Sequence, residues 1–329
     1  MTKFAILFKT HFWDEFTARQ LQRLREHSGA GAVIAVIDET MVVVPETAAP
    51  REIRIGMDDL VALKLPLVTT HGSIIWYNTD YPNYVAFQRL EPFDYYVCIE
   101  YDACVTLDIE LLVDGLARGG VDYLGFPIRK SCRDWPWYEM HRASYGDEML
   151  VYLSCMAVFS HRAMALLLRR RQEMGRLFAG GQLEFWPNNE AFIPNELRNG
   201  GMKLVSLGAY GDVSNYDWWP PCDEAELAKM QSGAFIHPVL AGMRYARSVV
   251  HHEPSLWSFV NPASALHGRL RAVPVHARNR LLRQEFMRRL QQFTVRRLAA
   301  VGLKRKWYER AQTGKVGSPQ TQSAHNSAS

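Results

Sequence analysis

The chain has 329 residues, 48% of them hydrophobic, with 38 Lys and Arg against 34 Asp and Glu. That length can bury one large α/β core or two modest ones, and the composition excludes a disordered or fibrous chain. No apolar run approaches the roughly 20 residues of a spanning helix, and the opening Met1-Thr2-Lys3-Phe4 lacks the regions of a secretory signal.

In chain order, Phe4–Phe8 reads as a short apolar strand. Trp13–Glu26 has helical spacing at Phe16, Leu21 and Leu24, and Gly29 and Gly31 break it. A second buried strand, Ala32–Ile37, ends at Asp38-Glu39. This strand–helix–strand order opens a parallel sheet. Asp58-Asp59 cap a short helix ahead of Leu67-Val68-Thr69-Thr70, and the aromatic, polar stretch Trp76–Pro82 leads into a helix over Asn83–Leu90. After the strand that ends near Asp102, Asp108 caps a helix through Leu116, and Val121–Ile128 forms another strand. Residues 129–147 read as an irregular loop. Met149–Phe159 reads as a strand, Ser160 caps a helix to Leu177, and Met202–Leu207 is a late strand.

Beyond Pro274 the character changes. Leu282, Phe286, Leu290, Phe293, Leu298 and Val301 recur every three to five residues among dense Arg, the pattern of a basic amphipathic helix. Residues 269–315 hold fourteen Lys or Arg against two acids, a net of +12, so the rest of the chain carries −8 within the total of +4. The expected organisation is a catalytic domain over 1–265, a basic helical extension over 266–311 and a disordered tail over 312–329. Five cysteines at 98, 104, 132, 155 and 222 form neither a paired framework nor a zinc pattern, so buried, reduced thiols in a cytoplasmic protein are expected.

Most of the chemistry is in Tyr95-Tyr96-Val97-Cys98-Ile99-Glu100-Tyr101-Asp102, an apolar run ending in two carboxylates. Alternation on a strand sends Glu100 and Asp102 to the same side. Open α/β sheets bind ligands at such strand ends, and hard cations bridging phosphates are held by one or two carboxylates plus water. The competing explanation is an acidic strand end facing solvent. Two more groups suit this chemistry. His237, in Ile-His-Pro-Val, can ligate a divalent ion as neutral imidazole, though a His before Pro also serves structure; His71, His251 and His252 are weaker rivals. Trp135, Trp137, Tyr138, Trp218 and Trp219 fall in predicted loops, where indole rings can stack on sugar faces or simply fill a core.

The segment Phe93–Asp102 resembles the metal-binding segment of GT-A-type glycosyltransferases, and the element order resembles that superfamily over roughly residues 3–240. The resemblance implies a GT-A-like open mixed α/β sheet flanked by helices, with the basic helical extension following it. It also implies Mn²⁺ or Mg²⁺ held by Glu100 and Asp102 on the diphosphate of a nucleotide-sugar donor, with His237 completing the site. Lys9, Thr10, His11, Asp38, Glu39 and the Trp76-Asn78-Asp80 stretch would surround the nucleotide. A general base at a helix start would fall on Glu190, with Glu196 and Asp134 in reserve; a helix N-terminus favours a carboxylate in any case, and a retaining enzyme would not need the base. The expected reaction moves a hexose to a hydroxyl of a glycan or glycolipid, in polysaccharide biosynthesis. The basic extension would meet an anionic membrane surface from the cytoplasmic side, or pack on the catalytic domain or a second copy of the chain.

Two other functions are weighed against this. A nucleotidyltransferase would carry a Gly-rich loop after the first strand, where the chain has Lys9-Thr10-His11-Phe12-Trp13. A non-catalytic polyanion binder, nucleic acid included, fits poorly with the acidic remainder, and its affinity would fall steeply with salt. The absence of GxGxxG and Walker patterns argues against a dinucleotide oxidoreductase or an NTPase.

Overall fold

A computed structural model describes residues 2–68, 73–128 and 131–300. Thr69, Thr70, His71, Val301 and the tail from residue 312 lie outside them. Elements follow as β1 (Phe4–Thr10), α1 (Glu15–Glu26), β2 (Ala32–Asp38), β3 (Glu52–Ile55), α2 (Met57–Ala62), α3 (Tyr81–Arg89), β4 (Tyr95–Glu100), β5 (Cys104–Val105) and α4 (Ile109–Arg118). Next are β6 (Tyr123–Pro127), α5 (Tyr138–Tyr145), β7 (Tyr152–Ser160), α6 (His161–Ala179), α7 (Asn189–Asn199), β8 (Leu204–Ser206), β9 (Cys222–Asp223), β10 (Phe235–Ile236) and β11 (Val239–Leu240). Last come α8 (Gly242–His252), α9 (Trp257–Val260), α10 (Ala265–Arg269) and α11 (Val275–Ala300).

Among the described residues, the main sheet has seven strands in the order β3-β2-β1-β4-β7-β6-β8. β1 pairs parallel with β2 and β4, and β7 runs antiparallel between β4 and β6. This is the open mixed α/β sheet flanked by helices that the resemblance implied; the strand–helix order had predicted its parallel opening over β1 and β2. Successive residues of β1 go to opposite faces: Phe4, Ile6 and Phe8 pack with Leu21, Leu24, Ile109, Leu112 and Leu116, whereas Ala5 and Leu7 pack with Tyr84, Leu167 and Phe192. Both faces are buried, so the strand reads as continuous apolar sequence. Helix starts follow their caps. Asp14 accepts from Thr17 N at 3.0 Å, Asp108 from Leu111 N at 3.0 Å and Ser160 from Ala163 N at 3.2 Å.

The stretch 129–147 is less irregular than its sequence suggested. It carries a 3₁₀ turn at Cys132–Asp134 and the helix α5. Trp135, Tyr138 and His141 recur every three residues on one side and are buried, with Trp135 and Tyr138 packed on Met149, Val151 and Ala191.

The chain divides into two compact units, Met1–Ala241 and the part from Gly242 onward, so the expected boundary near 265 falls inside the second. Within that second unit Leu282 is buried, and the Phe286 ring meets Phe259 with centroids 6.4 Å apart. Arg289 donates to the carbonyls of Val250 (3.1 Å) and His251 (2.6 Å) at the end of α8, where a cation favours the helix terminus. Leu290 and Phe293 remain 39% and 49% exposed, so the apolar stripe is not buried along its whole length.

Candidate functional site

β1 and β4 are neighbours although β2 and β3 intervene in sequence, so the connections diverge between them. Open α/β sheets take ligands at such a switch point. Lys9 is the registered partner of Glu100 there. Its fully buried ammonium donates to Thr79 Oγ1 at 2.5 Å and Thr79 O at 3.0 Å, and stands 3.7 Å from Glu100 Oε1. The Thr79 hydroxyl donates to the same Glu100 oxygen at 2.6 Å. Burial pushes the Glu100 carboxyl up, and nearby Asp102 adds to this against the opposing pull of Lys9 and Thr79.

Asp102 follows directly after β4. Its main-chain carbonyl accepts from Val239 N at 2.7 Å, bringing the segment with His237 alongside. His237 is buried, and its Nδ1 lies 2.8 Å from the Asp217 carbonyl. A carbonyl can only accept, so Nδ1 carries the hydrogen and Nε2 keeps its lone pair. That lone pair faces Asp102 Oδ1 at 3.7 Å, and Oδ1 is a buried oxygen with no hydrogen-bond partner among the described residues. Two acceptors facing across that gap call for a proton or a cation. Burial pushes the Asp102 carboxyl up to about 7, and the same burial holds His237 below the usual imidazole range. Among the described residues no group of three His, Cys, Asp or Glu side chains is placed to hold a metal ion. Glu100 lies close enough to Asp102 and His237 to feel their charge, and carboxylate oxygens and a neutral imidazole are donor types that divalent ions take.

Glu190 sits in the first turn of α7. The start of α7 is set by Asn188, whose side chain accepts from Glu190 N at 2.7 Å. Glu190 Oε2 accepts from the Trp135 indole at 2.8 Å. Burial pushes this carboxyl up to about 7; the indole opposes the shift, and the charge of Glu100 adds to it. Glu190 and the metal-type donors thus share one neighbourhood. Of the two reserves, Glu196 is held by Arg170 at 2.7 Å, and Asp134 is exposed on the 3₁₀ turn.

Several residues expected around the nucleotide are occupied inside the fold. Asp38 Oδ1 accepts from Thr40 N (2.9 Å) and Thr40 Oγ1 (2.6 Å), and Oδ2 from Ser73 Oγ (2.8 Å) and Ile74 N (2.9 Å). That carboxylate organises a loop. Thr10 bonds the Phe12 carbonyl at 2.6 Å, and His11 packs edge-on against Phe12 and Tyr101. Glu39 pairs with Arg54 at 2.6 Å. Asn78 Oδ1 accepts from Trp186 Nε1 at 3.0 Å, and buried Asp80 pairs with Arg171 at 2.7 Å. Trp76 is 58% exposed at the head of that loop.

The aromatic group separates. Trp135 and Tyr138 are buried, and the Tyr138 hydroxyl donates to Asp147 at 3.1 Å, whereas Trp137 is half-buried against Tyr77. Trp218 is 59% exposed and Trp219 half-buried, on the loop whose Asp217 carbonyl holds His237. His251 and His252 end α8 in the second unit.

Sequence reasoning missed Thr79, Arg171, Trp186 and His141. Arg171 left a signal: with Met164, Leu168 and Met174 it follows the three-to-four spacing of the buried face of α6. A charge on an apolar face announces a partner, here Asp80.

No protein-family model matches the chain, and no curated protein matches it in sequence. Solved glycosyltransferase structures resemble it at low identity. The chain is 13% identical to the galactosyltransferase LgtC solved with donor and acceptor sugar analogs, covering 70% of this chain and 79% of that one, with a TM-score of 0.41. An active-site mutant of LgtC gives 13% identity, 84% and 99% coverage and a TM-score of 0.44. Mouse xyloside xylosyltransferase 1, in its apo form, gives 9%, 71% and 97%, and 0.40.

Proposed function

We propose that the chain is a divalent-metal-dependent glycosyltransferase that moves a sugar from a nucleotide-sugar donor to a hydroxyl of a glycan or glycolipid. The observation that supports it is a buried Asp102 Oδ1 that has no hydrogen-bond partner among the described residues and faces the His237 imidazole lone pair at 3.7 Å, with Glu100 nearby at the end of β4. Mn²⁺ or Mg²⁺ would be held there by the two carboxylates and His237, with the donor's phosphate oxygens and water filling the rest. Bound there, the ion neutralises charge developing on the leaving diphosphate. Lys9 and Thr79 hold Glu100 in one orientation, and Asp217 holds the tautomer of His237. Glu190 takes the acceptor proton if the reaction inverts, and Trp218, Trp219 and Trp137 offer faces to the acceptor sugar.

A donor screen tests the reading: thermal shift with UDP, GDP, CDP and dTDP, each with and without Mn²⁺. Binding to the native state raises its apparent stability by mass action, so one nucleotide should shift the melt only when Mn²⁺ is present. With the donor identified, Glu190→Gln should lower turnover by about 10²-fold with donor affinity unchanged, the scale of general-base catalysis. Equal turnover in the variant would leave Glu190 a helix-terminus carboxylate.

The extension supports a peripheral membrane reading. α11 places exposed Met287, Leu290 and Phe293 among Arg280, Arg283 and Arg288, and basic residues near an anionic surface contribute about 1 kcal/mol each. Full-length protein should float with phosphatidylserine vesicles at physiological salt, and a chain ending at Pro274 should not. No flotation of the full chain, with a dimer in its place, would favour a second copy as the partner.

A further inference from the structure

We infer that Trp135 is a positioning residue for Glu190: its indole N–H fastens one carboxylate oxygen and leaves the other for a single incoming hydroxyl. This deepens the reading of Glu190 as the acceptor's base and rests on it. The indole N–H is a donor only, and at 2.8 Å from Oε2 it stabilises the ionised carboxylate. Trp135 cannot also stack on a sugar, because it is 6% exposed, packed on Tyr138, Met149, Val151 and Ala191.

His141 supports the arrangement from behind. Its Nδ1 lies 2.8 Å from the Trp137 carbonyl, and its Nε2 lies 2.8 Å from the main-chain N–H of Asn188. A carbonyl only accepts and an N–H only donates, so both partners require the neutral Nδ1–H tautomer. Burial lowers the imidazole pKa and favours that neutral form. The ring lies tilted against Trp135 with centroids 4.8 Å apart. One short stretch, Trp135 to His141, thereby touches the Glu190 carboxylate directly and the cap residue Asn188 of its helix through the backbone. Trp137 faces Tyr77 with centroids 6.2 Å apart, toward the loop that continues to Thr79 and Glu100.

The groups that bear on the titration of Glu190 are few. Glu100, from the end of β4, raises it, and the indole lowers it. The Tyr123 phenol and the Cys155 thiol, from β6 and β7, are themselves pushed up by burial and stay neutral at physiological pH. With the indole removed, burial and Glu100 act unopposed, and the carboxyl should hold its proton to higher pH.

The test is a carboxyl ¹³C titration of the full-length protein, metal-free and without ligand, from pH 5 to 9.5, with the Glu190 signal assigned by its loss in Glu190→Gln. Wild type should titrate near 7, and the Trp135 indole ¹⁵N–H resonance should move with the same midpoint. In Trp135→Phe the Glu190 midpoint should rise by about one pH unit, the size expected for losing a hydrogen bond to a charged group. With the donor in hand, the acid limb of turnover should rise equally while donor KM stays put. A wild-type indole resonance that is flat across the range overturns the proposal, as does an unmoved Glu190 midpoint in Trp135→Phe. The wild-type titration needs no variant to fold. If both titrations behave as expected but Glu190→Gln turns over normally, the reading of Glu190 as base has failed, and Trp135 loses its functional role with it.

Discussion

Asp102→Asn should abolish Mn²⁺-dependent nucleotide binding and, in metal-free buffer at pH 8, make the protein more stable than wild type. The carboxyl is pushed up to about 7 by burial, with its own backbone N–H and Lys9 opposing. Its folded pKa lies above the unfolded value, so the stability it contributes is fully present below about pH 4 and is lost as pH rises through 7. At pH 8 the metal-free fold carries a poorly compensated buried charge, 15% exposed at the side chain. Asparagine keeps the shape and removes the charge. The gain should be on the order of a few kcal/mol, or several degrees in Tm for a domain of this size, and it should shrink to roughly 1–2 kcal/mol at pH 5 and vanish only below about pH 4. Thermal melts at pH 5 and 8 with a chelator, followed by the nucleotide screen with Mn²⁺, make the check. A destabilised variant at pH 8 would show that Asp102 is held by partners in the fold, and persistent Mn²⁺-dependent binding would remove it from the metal set.

The second large effect is structural. Arg171→Met should cost roughly 3–5 kcal/mol, the range for removing one partner of a buried ion pair. The Arg171 guanidinium is fully buried, donating through Nε to Asp80 at 2.7 Å and through Nη1 to the Pro187 carbonyl at 2.8 Å, with its carbon 3.7 Å from the centre of the Phe192 ring. Burial works against its charge, but Asp80 and the nearby phenols of Tyr81 and Tyr84 outweigh that and keep it protonated. Losing the cation would strand the Asp80 carboxylate, one residue from Thr79 and so from the Glu100 support, and would free the Pro187 turn that leads into α7. Asp80→Asn combined with Arg171→Met should recover part of the loss, because both charges are then gone. Urea denaturation of the three variants measures it. A single Arg171→Met costing less than about 1 kcal/mol would mean that solvent or another group neutralises Asp80.

Much of the sheet was legible because its determinants are local. β1, β2 and β4 are apolar runs with turn residues at their ends, and Asp14, Asp108 and Ser160 announced three helix starts. The stretch 129–147 was read as an irregular loop because its Trp and Tyr looked like ligand-binding residues, yet it carries α5, and Trp135 and Tyr138 are buried against Met149, Val151 and Ala191. Lys9, Asp38, Asn78 and Asp80, which the resemblance set around the nucleotide, bond to Thr79, Thr40, Trp186 and Arg171 inside the fold, partners that sequence order does not reveal.

The sequence by itself placed Glu100 and Asp102 at the end of one apolar strand. The same-side expectation assumed a strand through Asp102, but β4 stops at Glu100 with Asp102 in the turn that follows, where strand alternation no longer sets the direction of a side chain. That Glu190 opens a helix was implied by the family resemblance and not read from residue spacing, and α7 has Asn188 as its cap with Glu190 in the first turn. Which groups meet those carboxylates was decided only by tertiary structure. Thr79, Trp135 and His237 lie 21, 55 and 135 residues from their partners in sequence, and each pairing needs a separate crossover to close before the distance exists. The same closure excludes water from Asp102 and Glu190. Their raised pKa values therefore come from the assembled fold, because a carboxylate in the unfolded chain is solvated whatever its neighbours in sequence.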